Sequence, residues 1–273
     1  MSLVNMRPLL YKAAKDGRAV GAFSVAGLEM IQGVVLAAEK TNTPVILQIA
    51  EARLATSPLH LIGPAMLAAA GKAKVEVAVH LDHGTTEGCI REAMDLGFTS
   101  VMFDGSHLPL EENIAMTKRF VALAHARGVN VEAEIGRVGR TESGEDAPMA
   151  YADPAEALRF IRETNVDALA VGIGNAHGVY TAAPQLRFDI LEQISGSTPV
   201  PLVLHGGTGI SPEDFRNAIR LGVRKINIAT ACFQAAAIAA HAAQEHNIFD
   251  VSRRMTDATA HAVLEHLQIF GLA

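Results

Sequence analysis

Three histidines, each beside a glycine, have the residue types and setting of a metal site. They are His83 in HLDHGT, His177 in GNAHGVY and His205 in LVLHGGTG, and each follows a short apolar run that reads as a β-strand. Three neutral imidazoles on three strand ends form a tripod with one side open, which suits a catalytic zinc ion. A single His-Gly pair among 11 histidines is most simply chance; three at strand ends read as ligands. Acids lie close by. Asp82 precedes His83, so regular alternation points the two side chains apart unless the backbone turns at the strand end and lets both reach the mouth. The other use for Asp82 there is to cap the next helix. Glu132 and Glu134 share one strand face, and two inward acids need a cation or a proton partner. Arg137 and Lys225 are the basic residues that could pair with them instead. Glu142, in the loop sequence TESGEDAP, is by composition an ordinary solvated acid.

Two turns resemble a phosphate cradle. HGGTG, residues 205–209, contributes Gly206, Gly207 and Thr208; NIAT, residues 227–230, runs from Asn227 to Thr230 and opens a helix. A Gly-Gly turn alone is usually only a turn. What points to phosphate is the position after the seventh and eighth strands, where barrels often bind it on backbone N–H groups and a helix N-terminus.

These groups need a scaffold, and strand and helix signals alternate from end to end. Eight short apolar runs read as strands: AVGAFSV from residue 19, PVILQIA from 44, VEVAVHLD from 75, TSVMFD from 99, VNVEAEIG from 129, DALAVGIG from 167, VPLVLHGG from 200 and VRKINIAT from 223. Helical spacing fills the gaps, as in residues 110–127. SPEDFRNAIRLG opens with a Ser N-cap and Pro at the first helical position, and DPAEALRFIRET repeats that logic. Continuous apolar strands imply a parallel sheet covered on both faces. Eight strand–helix units in 273 residues predict one (β/α)8 TIM barrel, a single domain over 1–273. VGIGNAHG lacks the spacing of a dinucleotide fingerprint, which argues against an open doubly wound sheet. The amphipathic C-terminal segment is expected to close the barrel bottom or to make a subunit contact.

The strand ends then separate chemistry from scaffold. The ends carry Ser24, Gln48, Asp82, His83, Asp104, Glu132, Glu134, Asn175, His177, His205, Asn227 and Thr230, whereas the starts carry few such groups. Burying each of these unpaired would cost roughly 1–3 kcal/mol, so a polar ring at one end of apolar strands implies an active site. Composition excludes other classes. The chain is 49% hydrophobic with a formal net charge of −6 and no Lys/Arg cluster, so no nucleic-acid partner is expected. No segment is long and apolar enough to span a membrane, and the opening residues lack the cationic head and apolar run of a secretory leader, so none is expected. Cys89 and Cys232 form no ligand pattern; both are expected reduced, in a cytoplasmic protein.

At this point the residues resemble the class II, zinc-dependent ketose-bisphosphate aldolases, nearest the branch of tagatose-bisphosphate and short fructose-bisphosphate enzymes. The resemblance covers nearly the whole chain, through GAFSVAGLE, VHLDHGT, SVMFDGSHLPLEENI, VEAEIGRVGRTE, GIGNAHGVY, PLVLHGGTGI and GVRKINIAT in order. It implies a lyase that cleaves a ketose 1,6-bisphosphate of tagatose or fructose type to dihydroxyacetone phosphate and glyceraldehyde 3-phosphate. By it, His83, His177 and His205 hold Zn2+, Asp104 and Glu134 serve a second or resting metal position, and Asp82 is the acid/base at the C4 oxygen. By it too, Glu142 removes a proton from bound triose phosphate, and Gly178, Gly206, Thr208, Asn227 and Thr230 form the triose-phosphate site. With Gln48 and Gly207 these make up the candidate substrate-binding set. The resemblance further implies a monovalent cation, Na+ or K+, near the phosphate, a role in carbohydrate metabolism and glycolysis, and a homodimer or homotetramer.

The chain departs from the family pattern at several positions. Ser24 stands where Asn is usual, Ala50 where Ser is common, Thr208 where Ser is commoner, and Arg140 enters the loop near the mouth. Zinc ligation is untouched by these; contacts to the sugar carbons and second phosphate are not. The alternatives are therefore the same chemistry on a non-standard ketose 1-phosphate, deoxy or acidic, or a non-catalytic barrel that stabilises a partner subunit.

Overall fold

The structure, a computed structural model, describes residues 2–140, 145–243 and 247–271. Its centre is a closed barrel of eight parallel strands in sequence order. The strands are β1 (Val20–Ser24), β2 (Val45–Ala50), β3 (Val77–Gly84), β4 (Ser100–Phe103), β5 (Asn130–Ile135), β6 (Ala168–Val171), β7 (Leu202–Leu204) and β8 (Val223–Ile228). The helices are α1 (Met6–Lys15), α2 (Leu28–Thr41), α3 (Leu59–Lys72), α4 (Glu87–Leu96), α5 (Leu110–His125), α6 (Pro154–Thr164), α7 (Phe188–Ser195), α8 (Pro212–Arg220), α9 (Thr230–Ala242) and α10 (Ile248–Ile269). The predicted (β/α)8 barrel is observed. Several helix starts are those read from sequence: Ser211 accepts from Asp214 N at 3.1 Å, and Asp153 accepts from Glu156 N at 3.0 Å.

The core has two parts, because a barrel strand buries both faces. Outward residues such as Phe23, Leu47, Val79, Leu81, Val131 and Leu204 pack under the helices. Inward residues of the lower barrel, Val20, Ala22, Ile46, Ala78, Ala168, Ala170 and Val203, form a second cluster with Met6, Leu9, Leu10 and Ala13 of α1. These inward side chains are small or β-branched, which leaves room for α1 to plug the N-terminal end. Leu3 bridges to Val77 at the start of β3 and fixes the approach. The C-terminal segment was one candidate for that plug; α10 instead packs along α2 and α9, with only Phe270 tucked near the base of β1. Among the described residues no helix is long and apolar enough to cross a membrane.

Candidate active site

Above the apolar floor the inward positions turn polar. Gln48 pairs in register with His80, His80 with Ser100, and Met102 with Glu132. Ser24, Gln48, His80, Asp82, Glu132, Glu134, Lys225 and Asn227 are all buried, and nearly every one is hydrogen-bonded to another.

The conflict between Asp82 and His83 is resolved by the backbone. The β3–β4 register shifts between Leu81 and Gly84, and His83 adopts φ 44°, the left-handed region that a non-glycine residue seldom enters. The kink lets both consecutive side chains reach the mouth. Gly84 must follow, because a Cβ there would lie 2.5 Å from Met102 O. Asp82 accepts from Gln48 Nε2 at 3.0 Å and from Asn227 Nδ2 at 3.1 Å, so its carboxylate is aimed by amides on both sides rather than used as a helix cap. The cap of α4 is Thr86.

The three histidines converge. The His83 and His177 ring centres lie 4.8 Å apart, and those of His83 and His205 4.6 Å. The loops are stitched to make this so. His177 N donates to Gly139 O at 2.9 Å, Asn175 Nδ2 donates to His205 O at 3.0 Å, and Tyr180 Oη donates to Gly206 O at 2.9 Å. Gly206, at φ 63°, passes so close to Ala176 that any Cβ would collide with its carbonyl oxygen.

Hydrogen bonding on the outer nitrogens decides what the inner ones offer. His83 Nδ1 faces Asp104 Oδ2 at 2.7 Å, and His205 Nε2 faces Glu132 Oε1 at 2.8 Å. A carboxylate only accepts, so each of those nitrogens carries its proton. The inner nitrogens, His83 Nε2 and His205 Nδ1, are 2.9 Å apart. At that distance one nitrogen must carry a proton and donate to the other, unless a metal ion takes both lone pairs instead. Nitrogens around one zinc ion would lie roughly 3.3 Å apart. His83, His177 and His205 fit that donor set, and His83, Asp104 and Glu134 make a second group of adjoining donors. Glu134 Oε2 is buried with no hydrogen-bond partner among the described residues, an orphan that a cation would satisfy.

The electrostatics agree. Burial alone would lower the pKa of His83, but Asp82, the hydrogen bond to Asp104 and the nearby Glu134 outweigh it and raise it well above the ordinary value. His205 is pushed well below, first by burial and then by the charge on His83. Burial, then the charge of Asp104, pushes Glu134 up to about 8. Asp104 stays well below the usual carboxylate range despite burial, because His83 bonds to it. The acids around His83 thus favour its protonated form, and that charge in turn disfavours a proton on His205.

Other candidates fall as follows. Gly206 and Gly207 lie in the β7–α8 turn, where Gly207 N donates to Asn227 O at 3.1 Å. The Thr208 hydroxyl accepts from Ala231 N at 3.1 Å, capping α9 in place of Ala229, which has no side-chain cap to give. Thr230 opens α9, and Gly178, at φ 86°, lies under the Arg140 side chain. Asn227 commits its amide to Asp82 and Lys225. Glu142 lies outside the described residues. His80 is absent from the strand-end reading, although it shares the parity of Asp82 on β3; it is fully buried, with Nδ1 2.9 Å from Ser100 Oγ. Glu51 is missed too: its carboxylate takes bonds from the backbone and hydroxyls of Thr85 and Thr86, steadying the loop after His83. A cavity of about 420 Å³ opens from His83, Asp104, Glu134 and His177 towards His107, Arg137 and Arg140.

Comparison with known proteins points to one family. The family model for class-II fructose-bisphosphate aldolase matches residues 4–273. A 6-phospho-5-dehydro-2-deoxy-D-gluconate aldolase of Halalkalibacterium halodurans is 42% identical over 275 residues, covering 97% of this chain and 93% of its own. A fructose-bisphosphate aldolase of Staphylococcus aureus is 44% identical over 234 residues, 84% of this chain and 82% of its own. The crystal structure of the YdjI aldolase from Escherichia coli K12 superposes with a TM-score of 0.90 at 37% identity, over 98% of this chain and 97% of that one.

Proposed function

The chain belongs to the class II fructose-bisphosphate aldolase family and is an aldolase, a carbon–carbon lyase; on that premise we propose that it reversibly cleaves a ketose 1-phosphate to dihydroxyacetone phosphate and an aldehyde. The substrate we propose is a ketose 1,6-bisphosphate of tagatose or fructose type, giving glyceraldehyde 3-phosphate, with the whole chain acting as one barrel domain. The observation that carries the reading is the convergence of His83 Nε2 and His205 Nδ1 at 2.9 Å, their outer nitrogens committed to carboxylates. His83, His177 and His205 would hold zinc, with Asp104 and Glu134 beside them. Zinc, when bound, is a Lewis acid for the negative charge that cleavage leaves on the triose phosphate.

The remaining work belongs to side chains. Asp82, oriented by Gln48 and Asn227, takes the proton from the C4 hydroxyl as the C3–C4 bond breaks, and returns it in the condensation direction. Glu142 is proposed to exchange the proton at the triose carbon. The turn at Gly206 and the N-terminus of α9 bind the phosphate through backbone N–H groups, while Gly207 N, held by Asn227 O, fixes the turn against β8. Exposed Ile238, Ile248 and Phe249 support a homodimer or homotetramer.

A second reading keeps the chemistry and changes the far end of the sugar to a carboxylate. Arg137 and Arg140 line the cavity, and Ser24 and Ala50 present short side chains. The gluconate-derived substrate named for the Halalkalibacterium relative is of this acidic kind. A coupled assay of triose-phosphate release across a panel of ketose phosphates, with and without chelator, decides. Cleavage should stop on prolonged chelation and return with Zn2+, and His205→Ala should lose both metal and turnover. Full activity without metal, or substrate trapping by borohydride, would overturn the metal reading.

A further inference from the structure

One buried ion pair lies beneath the tripod and touches both halves of the chemistry. Lys225 and Glu132 are fully buried, on facing strands, with Lys225 Nζ 2.8 Å from Glu132 Oε2. His80, Asp82 and Glu132 also cluster as a potential metal group. Lys225 already supplies the positive charge there, so no metal is needed.

From these contacts we infer that Glu132 and Lys225 are positioning residues for the active site: Glu132 fixes which nitrogen of His205 faces the metal, and Lys225 fixes both Glu132 and the amide that aims Asp82. The inference rests on the aldolase reading above. Glu132 Oε1 is 2.8 Å from His205 Nε2. A carboxylate anion accepts and cannot donate, so it holds the proton on Nε2 and leaves the Nδ1 lone pair facing His83. Rotation of the ring, or transfer of its proton, would point an N–H at the metal position. Lys225 provides the countercharge that lets Glu132 serve as an anion where no water reaches it.

The second arm runs through Asn227. Lys225 Nζ donates to Asn227 Oδ1 at 2.8 Å. That contact settles the orientation of an amide whose two ends are nearly isosteric. Its other end, Nδ2, is then free to donate to Asp82 Oδ1 at 3.1 Å. One ammonium group thus orients a metal ligand just after β7 and an acid/base on β3. Metal-ligating histidines generally give their second N–H to such an acceptor, and loss of that acceptor costs 10- to 100-fold in metal affinity. No Schiff-base role is needed to explain a lysine on this strand.

The test compares two charge-neutral double variants. Glu132→Leu with Lys225→Met removes the acceptor, and Glu132→Gln with Lys225→Met keeps one. Replacing a buried ion pair by apolar residues of similar volume is commonly neutral or stabilising, and circular dichroism melts check that the Leu and Gln variants both fold. Zinc affinity is read by chelator competition, and Co2+ absorption reports the coordination sphere. The Leu variant should bind zinc about 10- to 100-fold more weakly than the Gln variant. Equal affinity in the two overturns the inference. In the parent protein, ¹⁵N-histidine NMR provides a check that needs no variant. His205 should carry its proton on Nε2 with zinc bound; a proton on Nδ1 overturns the inference. A parent that binds no zinc and releases no triose phosphate would overturn the aldolase reading itself. A parent that does both, with equal zinc affinity in the two variants, overturns the role of Glu132 and leaves the aldolase reading standing.

Discussion

Asp82 shows how much a single side chain depends on its neighbours. It sits beside a metal ligand on a rigid strand end, with a donor amide on either side. Asp82→Asn should keep the size and much of the zinc binding while removing the acid/base. Turnover should fall by about 10²- to 10⁴-fold with zinc content unchanged by metal analysis. Retention of full cleavage would move the role elsewhere. The histidine tripod and Asp82 were legible because their types, spacing and strand-end positions coincided. Lys225 was legible only as one possible counterion, with Arg137, for Glu132 and Glu134; its pairing with Glu132 depends on two strands that face each other only when the barrel closes. His80 could have been found, since it lies two positions before Asp82 on the same face. It was hidden by the expectation that chemistry sits at the last residue of a strand.

Elements carry information that single residues do not. The alternation of eight strands and the caps at Ser211 and Asp153 were readable from sequence, because both follow from local propensity. The kink at His83 was readable only as a possibility, since a bulge is set by the neighbouring strand. Gly206 makes the point testable. Gly206→Ala would force a Cβ against Ala176 and impose φ 63° on a residue that disfavours it. The loops bearing His177 and His205 should then separate, and zinc affinity should fall by at least about tenfold if the ligand spacing is what holds the ion. An unchanged affinity would show that the loops adjust independently. The start of α9 gives a second case. Thr208→Val removes the hydroxyl that caps Ala231 N, so it should cost about 0.5–2 kcal/mol of stability in denaturant melts. It should also weaken dihydroxyacetone phosphate binding while zinc content stays normal. If stability and phosphate affinity are both unchanged, the hydroxyl serves neither.

The barrel is layered: an apolar floor, a buried polar storey, then the open mouth. Outside it, α10 brings His266 against Phe215 and Phe270. Burial pushes the His266 pKa below its ordinary value, so the folded protein favours the neutral ring. The sign follows from linkage. An unfolded histidine takes up its proton near pH 6.5 and the folded one lower, so this stabilisation is present above about 6.5 and is lost as pH falls through that range. Melting temperature should therefore decline from pH 7 to pH 5, and less steeply for His266→Phe, which keeps the aromatic contacts. Parallel slopes for the two proteins would remove His266 as a cause.

The α1 plug bears on the lysine just above it. Met6, Leu9 and Leu10 seal the only end of the strand tube that is not built for substrate, and Val20 on the floor pairs in register with Lys225. An amine shielded from below by that seal and from above by its carboxylate should resist acylating reagents that modify the surface lysines quickly. Deleting the first sixteen residues would open a route from the opposite side. The labelling rate of Lys225, followed by peptide mass, would then report on the integrity of the barrel floor.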